Sequence, residues 1–134
     1  MDRTARFILV AVVTALGLAV NAGGASATVS GLTVDPKAQL SAGHNVAAVT
    51  GTLTCDAGDS GFVNVNLTQT AGRVVTIENG GASVNCTGVA EPWTVFVSFF
   101  GTQLLPGRAG VNVVGTDFTD FTALGVHSTI NLSP

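Results

Sequence analysis

The two cysteines, Cys55 and Cys86, constrain this chain more than any other feature. Between them lies an Asn79-Gly80 turn signal, and just past the second stands the only tryptophan, Trp93. If they pair, they staple two β-segments and leave Trp93 to head the next one. Pairing depends on the compartment, because disulfides persist where the surroundings are oxidising. Arg3 and Arg6 make a basic start, Phe7 to Val20 is an uncharged and mostly apolar run of 14 residues, and Ala25-Ser26-Ala27 is an A-x-A cleavage site. This is the order of a secretory signal peptide, and the run is shorter than the roughly 18 to 20 residues that span a bilayer. Residues 1–27 are therefore read as a signal peptide and residues 28–134 as a single domain, secreted and free of the membrane after cleavage. In that setting Cys55 and Cys86 are expected to form a disulfide. The loop it closes is worth about 3.5 kcal/mol in the chain-entropy model.

Strand alternation recurs through the rest of the chain, and helical periodicity never lasts more than a turn. Thr28 to Val34 reads as a first strand ended by Asp35-Pro36, and Lys37 to Leu40 as a short edge segment. After a turn at residues 41–45, Val46 to Cys55 alternates with Val49, Gly51, Leu53 and Cys55 on one face. Residues 56–61 read as a polar turn, and Phe62 to Thr70 as a strand with Val63, Val65 and Leu67 on its apolar side. Arg73 to Ile77 and Ala82 to Thr87 are predicted to pair as a hairpin about Asn79-Gly80-Gly81, with Val75, Ile77, Val84 and Cys86 sharing the buried face. Trp93 to Phe100 is the strongest strand, with Trp93, Val95, Val97 and Phe99 inward and Phe96 and Phe100 outward. Pro106-Gly107 marks a turn, Ala109, Val111 and Val113 begin another face, and Phe118 to Leu132 holds at least one more strand, either continuous or broken at Gly125.

Seven or eight short strands at this spacing predict an all-β fold, an antiparallel immunoglobulin-like β-sandwich with one disulfide. Antibody-type domains place their tryptophan between the cysteines. Here it follows both, so the bond is expected to join different strands from the antibody pair.

With these residues in view, the chain resembles an uncharacterised family of small secreted actinobacterial immunoglobulin-like β-sandwich domains. The residues that carry the resemblance are Gly51-Thr52-Leu53-Thr54-Cys55, Val65-Asn66-Leu67-Thr68-Gln69, Cys86-Thr87-Gly88, Pro92-Trp93-Thr94-Val95 and Pro106-Gly107-Arg108-Ala109. It covers roughly Val29 to Val114 and implies export, a disulfide and a sandwich, with no catalytic residues. The chain departs from the family pattern after the tryptophan strand, where members tend to be polar and this sequence has Phe96, Phe99-Phe100 and Leu104-Leu105.

Several chemistries are disfavoured by what the sequence lacks. Beyond the leader, Lys37, Arg73 and Arg108 stand against seven acidic residues. No basic cluster exists for nucleic acid or an anionic membrane. A serine nucleophile needs a histidine base and a group to orient it; only His44 and His127 are present, and no Gly-x-Ser-x-Gly elbow occurs. The carboxylates sit at turns and strand ends, where solvated ones ordinarily lie, so no enzyme is expected. Two cysteines cannot complete a four-ligand zinc site, and no metal or other cofactor is expected. Asp56/Asp59 and Asp117/Asp120 each set two hard oxygens close together, although Ca²⁺ wants six to eight. Calcium at either pair is one reading, and solvated turn carboxylates are the other. Asn66-Leu67-Thr68 and Asn85-Cys86-Thr87 match the glycosylation acceptor pattern, which bacteria usually leave bare.

The stretch from Phe96 to Leu105 is the remaining signal. Phe96 and Phe100, if outward, would join Leu104, Leu105 and Arg108 in an apolar patch of the kind that marks a partner site. The expected function is that of a secreted, monomeric, non-enzymatic binding or structural module of the extracellular space or cell envelope. Its partner would be a protein or an apolar small molecule. A small-molecule carrier is the alternative, with an inter-sheet cleft lined by Phe62, Phe96 or Phe118. A protease inhibitor presenting Leu104 to Arg108 ranks third.

Overall fold

The computed structural model describes residues 29–99 and 103–134. The expected signal peptide lies outside the described residues, as does Phe100. Eight strands follow one another: β1 (Val29–Val34), β2 (Lys37–Leu40), β3 (Val46–Cys55), β4 (Ser60–Ala71), β5 (Val74–Asn85), β6 (Glu91–Ser98), β7 (Gly107–Asp117) and β8 (Thr122–Ser133). The chain is all-β among the described residues, and Cys55 and Cys86 are joined.

The pairings form two hydrogen-bonded groups that meet at β2. In one, β3 lies between β1 and β6; in the other the order is β2-β8-β7-β4-β5. β2 pairs antiparallel with β3 through Gln39 and Leu40 and parallel with β8 through residues Lys37 to Gln39. It therefore crosses between the layers and is not the edge segment expected from sequence. Among the described residues the parallel β2–β8 pair is the one exception to antiparallel pairing.

Alternation explains the layering. Each strand sends every second side chain inward, so Val49, Leu53 and Cys55 of β3 meet Val63, Val65 and Leu67 of β4 and Val111 and Val113 of β7 in one buried cluster. Trp93, Val95 and Val97 of β6 and Phe99 just beyond it complete the cluster, as expected. The disulfide joins the end of β3 in one layer to the residue after β5 in the other. Three backbone bonds reinforce it: Gly58 N–H to Cys86 O, Cys86 N–H to Asp59 O and Gly88 N–H to Cys55 O.

One expected element is overturned. No hairpin forms at Asn79-Gly80-Gly81; β5 runs unbroken from Val74 to Asn85 and pairs with β4 along its whole length. The turn lies instead at Gly72-Arg73, where Gly72 has φ 62°, the left-handed geometry that a two-residue hairpin wants at its first central residue. Gly80 and Gly81 serve close approach. A Cβ on Gly80 would lie 2.7 Å from the Phe96 carbonyl oxygen, and one on Gly81 would lie 2.4 Å from the Phe62 ring. A continuous strand also reverses parity at one end. Val84 remains buried, while Val75 and Ile77 point to solvent at 55% and 59% exposure. Similarly, β8 passes through Gly125 without a break.

Candidate functional site

The residues expected to form one surface divide into two environments. Phe96 is outward on β6 and 64% exposed. Leu104 is fully buried, which corrects its assignment to the patch. Its side chain joins the core because its N–H bonds the His44 carbonyl, drawing this segment over the turn before β3. Leu105 is exposed, but its backbone is clamped by Gln69 of β4: Leu105 N–H donates to Gln69 Oε1 at 2.8 Å, and Gln69 Nε2 donates to Leu105 O at 2.7 Å. Arg108 stands outward on β7, one residue into the strand. A protease-inhibiting loop would need Leu104 free and Arg108 on a loop, and neither condition holds.

The phenylalanines expected to line an inter-sheet cleft lie on outer surfaces instead. Phe62 projects from the outer face of β4 and packs against Phe118, with ring centroids 6.0 Å apart. Phe118 is half-exposed, and Phe121 beside it is 82% exposed with φ 60°, a left-handed conformation that a bulky residue rarely adopts. The buried cluster between the layers is made of aliphatic side chains, the disulfide, Trp93 and Phe99.

The two aspartate pairs converge. β4 and β7 place Gly61 opposite Asp117, bringing Asp59 into hydrogen-bond contact with Asp117, near Asp56 and Asp120. The Asp117 carboxylate also accepts the Thr119 N–H and lies within 4.8 Å of both disulfide sulfurs. Those sulfurs are bonded to each other and offer no thiolate to a metal. The hydrogen bond to Asp117, then burial, then repulsion from Asp117, Asp120 and Asp56 push the Asp59 carboxyl from 3.8 up to about 6. A pair of carboxyls sharing a proton is also the arrangement of an aspartic acid–base dyad. Here Asp117 has no exposed surface, so a substrate cannot reach it.

This pair predicts a pH dependence. The folded chain holds the Asp59 proton up to about pH 6, whereas the unfolded chain releases it near pH 3.8. The stabilisation is fully present below pH 3.8 and is lost as pH rises through about 6. Asp59→Asn keeps a donor for Asp117 at every pH. Thermal melts across this window should show the variant matching the wild type at the acid end and exceeding it above pH 6. Parallel profiles would remove Asp59 from the pH response.

The two histidines lie in separate settings among the described residues. His44 sits in the turn before β3 with φ 56°, and its backbone bonds Ser41 and Leu104. His127 Nδ1 meets Asn112 Oδ1 across the β7–β8 pair, and as an amide oxygen only accepts, the imidazole donates. His127 also lines, with Gly110, a shallow open depression of about 440 Å³ on the outer face of β4, β7 and β8. Nothing in the sequence pointed to it, because its lining comes from three strands. No family model matches the chain, and no curated protein is significantly similar to it.

Proposed function

We propose that the chain is an exported, non-enzymatic β-sandwich of the kind it resembles among secreted actinobacterial immunoglobulin-like domains, acting as a binding or structural module outside the cell. The observation that supports this reading best is the outward placement of three phenylalanines around a buried cluster made mainly of aliphatic side chains. Phe62, Phe96 and Phe118 stand on outer faces, and Phe96 is 64% exposed. A carrier would spend its aromatics on a cavity between the layers. Contact through the β6 face, with Phe96 at its centre, fits this distribution.

The experiment is co-sedimentation of the purified protein with the envelope fraction of the producing cells. Phe96→Asp changes an exposed position and should leave stability within about 1 kcal/mol. Its bound fraction is expected to fall at least about tenfold, the effect of losing some 1.4 kcal/mol of contact. Equal retention of variant and wild type would reject the β6 face as the contact surface.

A further inference from the structure

We infer that the depression over Gly110 is a binding site for an acidic saccharide, a sugar that carries a carboxylate among its hydroxyls. It lies on the layer opposite Phe96 and does not depend on the contact surface proposed above. The register brings the site together. Thr68 of β4 stands opposite Gly110 of β7, and Gly110 opposite Thr129 of β8. Because Gly110 has no side chain, the middle of this row is open. Thr68, Thr70, Thr129, His127 and Arg108 rim it.

The rim specifies the ligand. Arg108 makes no ion pair or side-chain hydrogen bond among the described residues, and only its carbonyl is engaged, by Gln69. A planar guanidinium with an unused fork of donors suits a carboxylate. The three threonine hydroxyls both donate and accept, and the bond from Nδ1 to Asn112 leaves His127 Nε2 as an acceptor. The next row along the same face is Asn79, Asn66, Asn112 and His127, in register across β5, β4, β7 and β8. Amide groups of this kind pair with hydroxyls in both senses.

Charge points the same way. An outer sheet face ordinarily carries the charges of a soluble protein, yet the outward positions of these four strands hold Arg108 and no carboxylate. The acidic cluster lies at the other end of β4 and β7, where Gly61 meets Asp117. Seven residues of strand separate it from Gly110, about 23 Å. That exceeds the screening length of about 8 Å at physiological salt. Nearer by, Lys37 of β2 stands opposite Asn131 in the row of Arg108, Arg73 occupies the β4–β5 turn and the part-buried Glu78 lies opposite Leu67, so the local charge is net positive. A simple anion would leave the hydroxyls and amides unused, and a neutral sugar would leave Arg108 unused.

The test is an amide-resolved NMR titration of the full domain with a short oligouronate, the matching neutral oligohexose and acetate. The oligouronate should shift the amides of Thr68, Thr70, Gly110 and Thr129 and saturate with a Kd of about 1 mM or tighter. The neutral sugar should bind about five- to tenfold more weakly, and acetate should not saturate in that range. Arg108→Gln should level the two sugars. Gly110→Leu should abolish binding of both by filling the depression; its Cβ would meet only the Thr68 carbonyl oxygen, at 3.9 Å. Thr129→Val, which keeps shape and removes one hydroxyl, checks the same point should the leucine variant not fold. Phe96→Asp should bind the oligouronate as the wild type does. The assignment is overturned by no saturation, by equal affinity for the neutral sugar or acetate, by an unaffected Arg108→Gln, or by loss of binding in Phe96→Asp.

Discussion

Replacing both Cys55 and Cys86 by alanine is expected to lower the unfolding free energy by about 3.5 kcal/mol. The two positions are 31 residues apart, and in the chain-entropy account most of that loss arises because the unfolded chain gains the freedom of a long open loop. The bond also joins the two layers, and its sulfurs are buried. Its removal therefore loosens the contact between the end of β3 and the end of β5. The three backbone bonds between residues 55–59 and 86–88 remain and hold the native geometry. The variant should thus keep its fold and its circular dichroism, with a lower denaturation midpoint. The denaturant slope should rise, because an uncrosslinked chain exposes more surface on unfolding. A midpoint unchanged within error would mean that the layers are held without the staple.

A single methyl group at Gly51 is expected to cost at least about 3 kcal/mol, the upper range of overpacking. Gly51 is buried at the middle of β3, between β1 and β6. A Cβ there would lie 2.0 Å from the Thr33 carbonyl oxygen and 2.6 Å from the Trp93 ring. The first contact is with backbone, so no side-chain rotation relieves it; β1 must move away from β3 or Trp93 must leave its place. Trp93 Nε1 has no acceptor among the described residues, so packing alone locates the ring. Gly51→Ala should lower the melting temperature by about 12 °C or more and alter the near-ultraviolet signal of Trp93. Gly125→Ala is the control, because its Cβ would meet nothing nearer than the Val113 carbonyl oxygen at 3.8 Å. A loss below about 1 kcal/mol for Gly51→Ala would contradict the β1–β3 register.

Both effects concern the scaffold, and the scaffold was the more legible part of the sequence. β3 occupies the residues expected of it, Val46–Cys55, because the alternation with threonine from Val49 to Cys55 leaves one way to bury an apolar face. The inward set of Trp93, Val95, Val97 and Phe99 follows for the same reason. The misreading at Asn79-Gly80-Gly81 shows where local pattern stops. A glycine pair in a strand marks either a turn or a place where something comes close, and the choice depends on whether Phe62 and the β6 backbone are there. That is a tertiary fact. Once β5 is continuous, the exposure of Val75 and Ile77 follows from parity alone.

The candidate sites were less legible. Leu104 and Leu105 look alike in sequence, yet one is core and the other surface, because Gln69 and the His44 carbonyl clamp the backbone around them. Asp59 and Asp117 meet only through the β4–β7 register, as Thr68, Gly110 and Thr129 do through three strands. By itself the sequence determined the inward face of most strands, the pairing of its two cysteines and the all-β class, since those depend on residues two apart or on a count of thiols. Only the tertiary structure decided which outward faces lie side by side. Outward residues pay little for their position, so no local pattern records their neighbours; register alone sets Arg108, Gly110 and His127 around one depression.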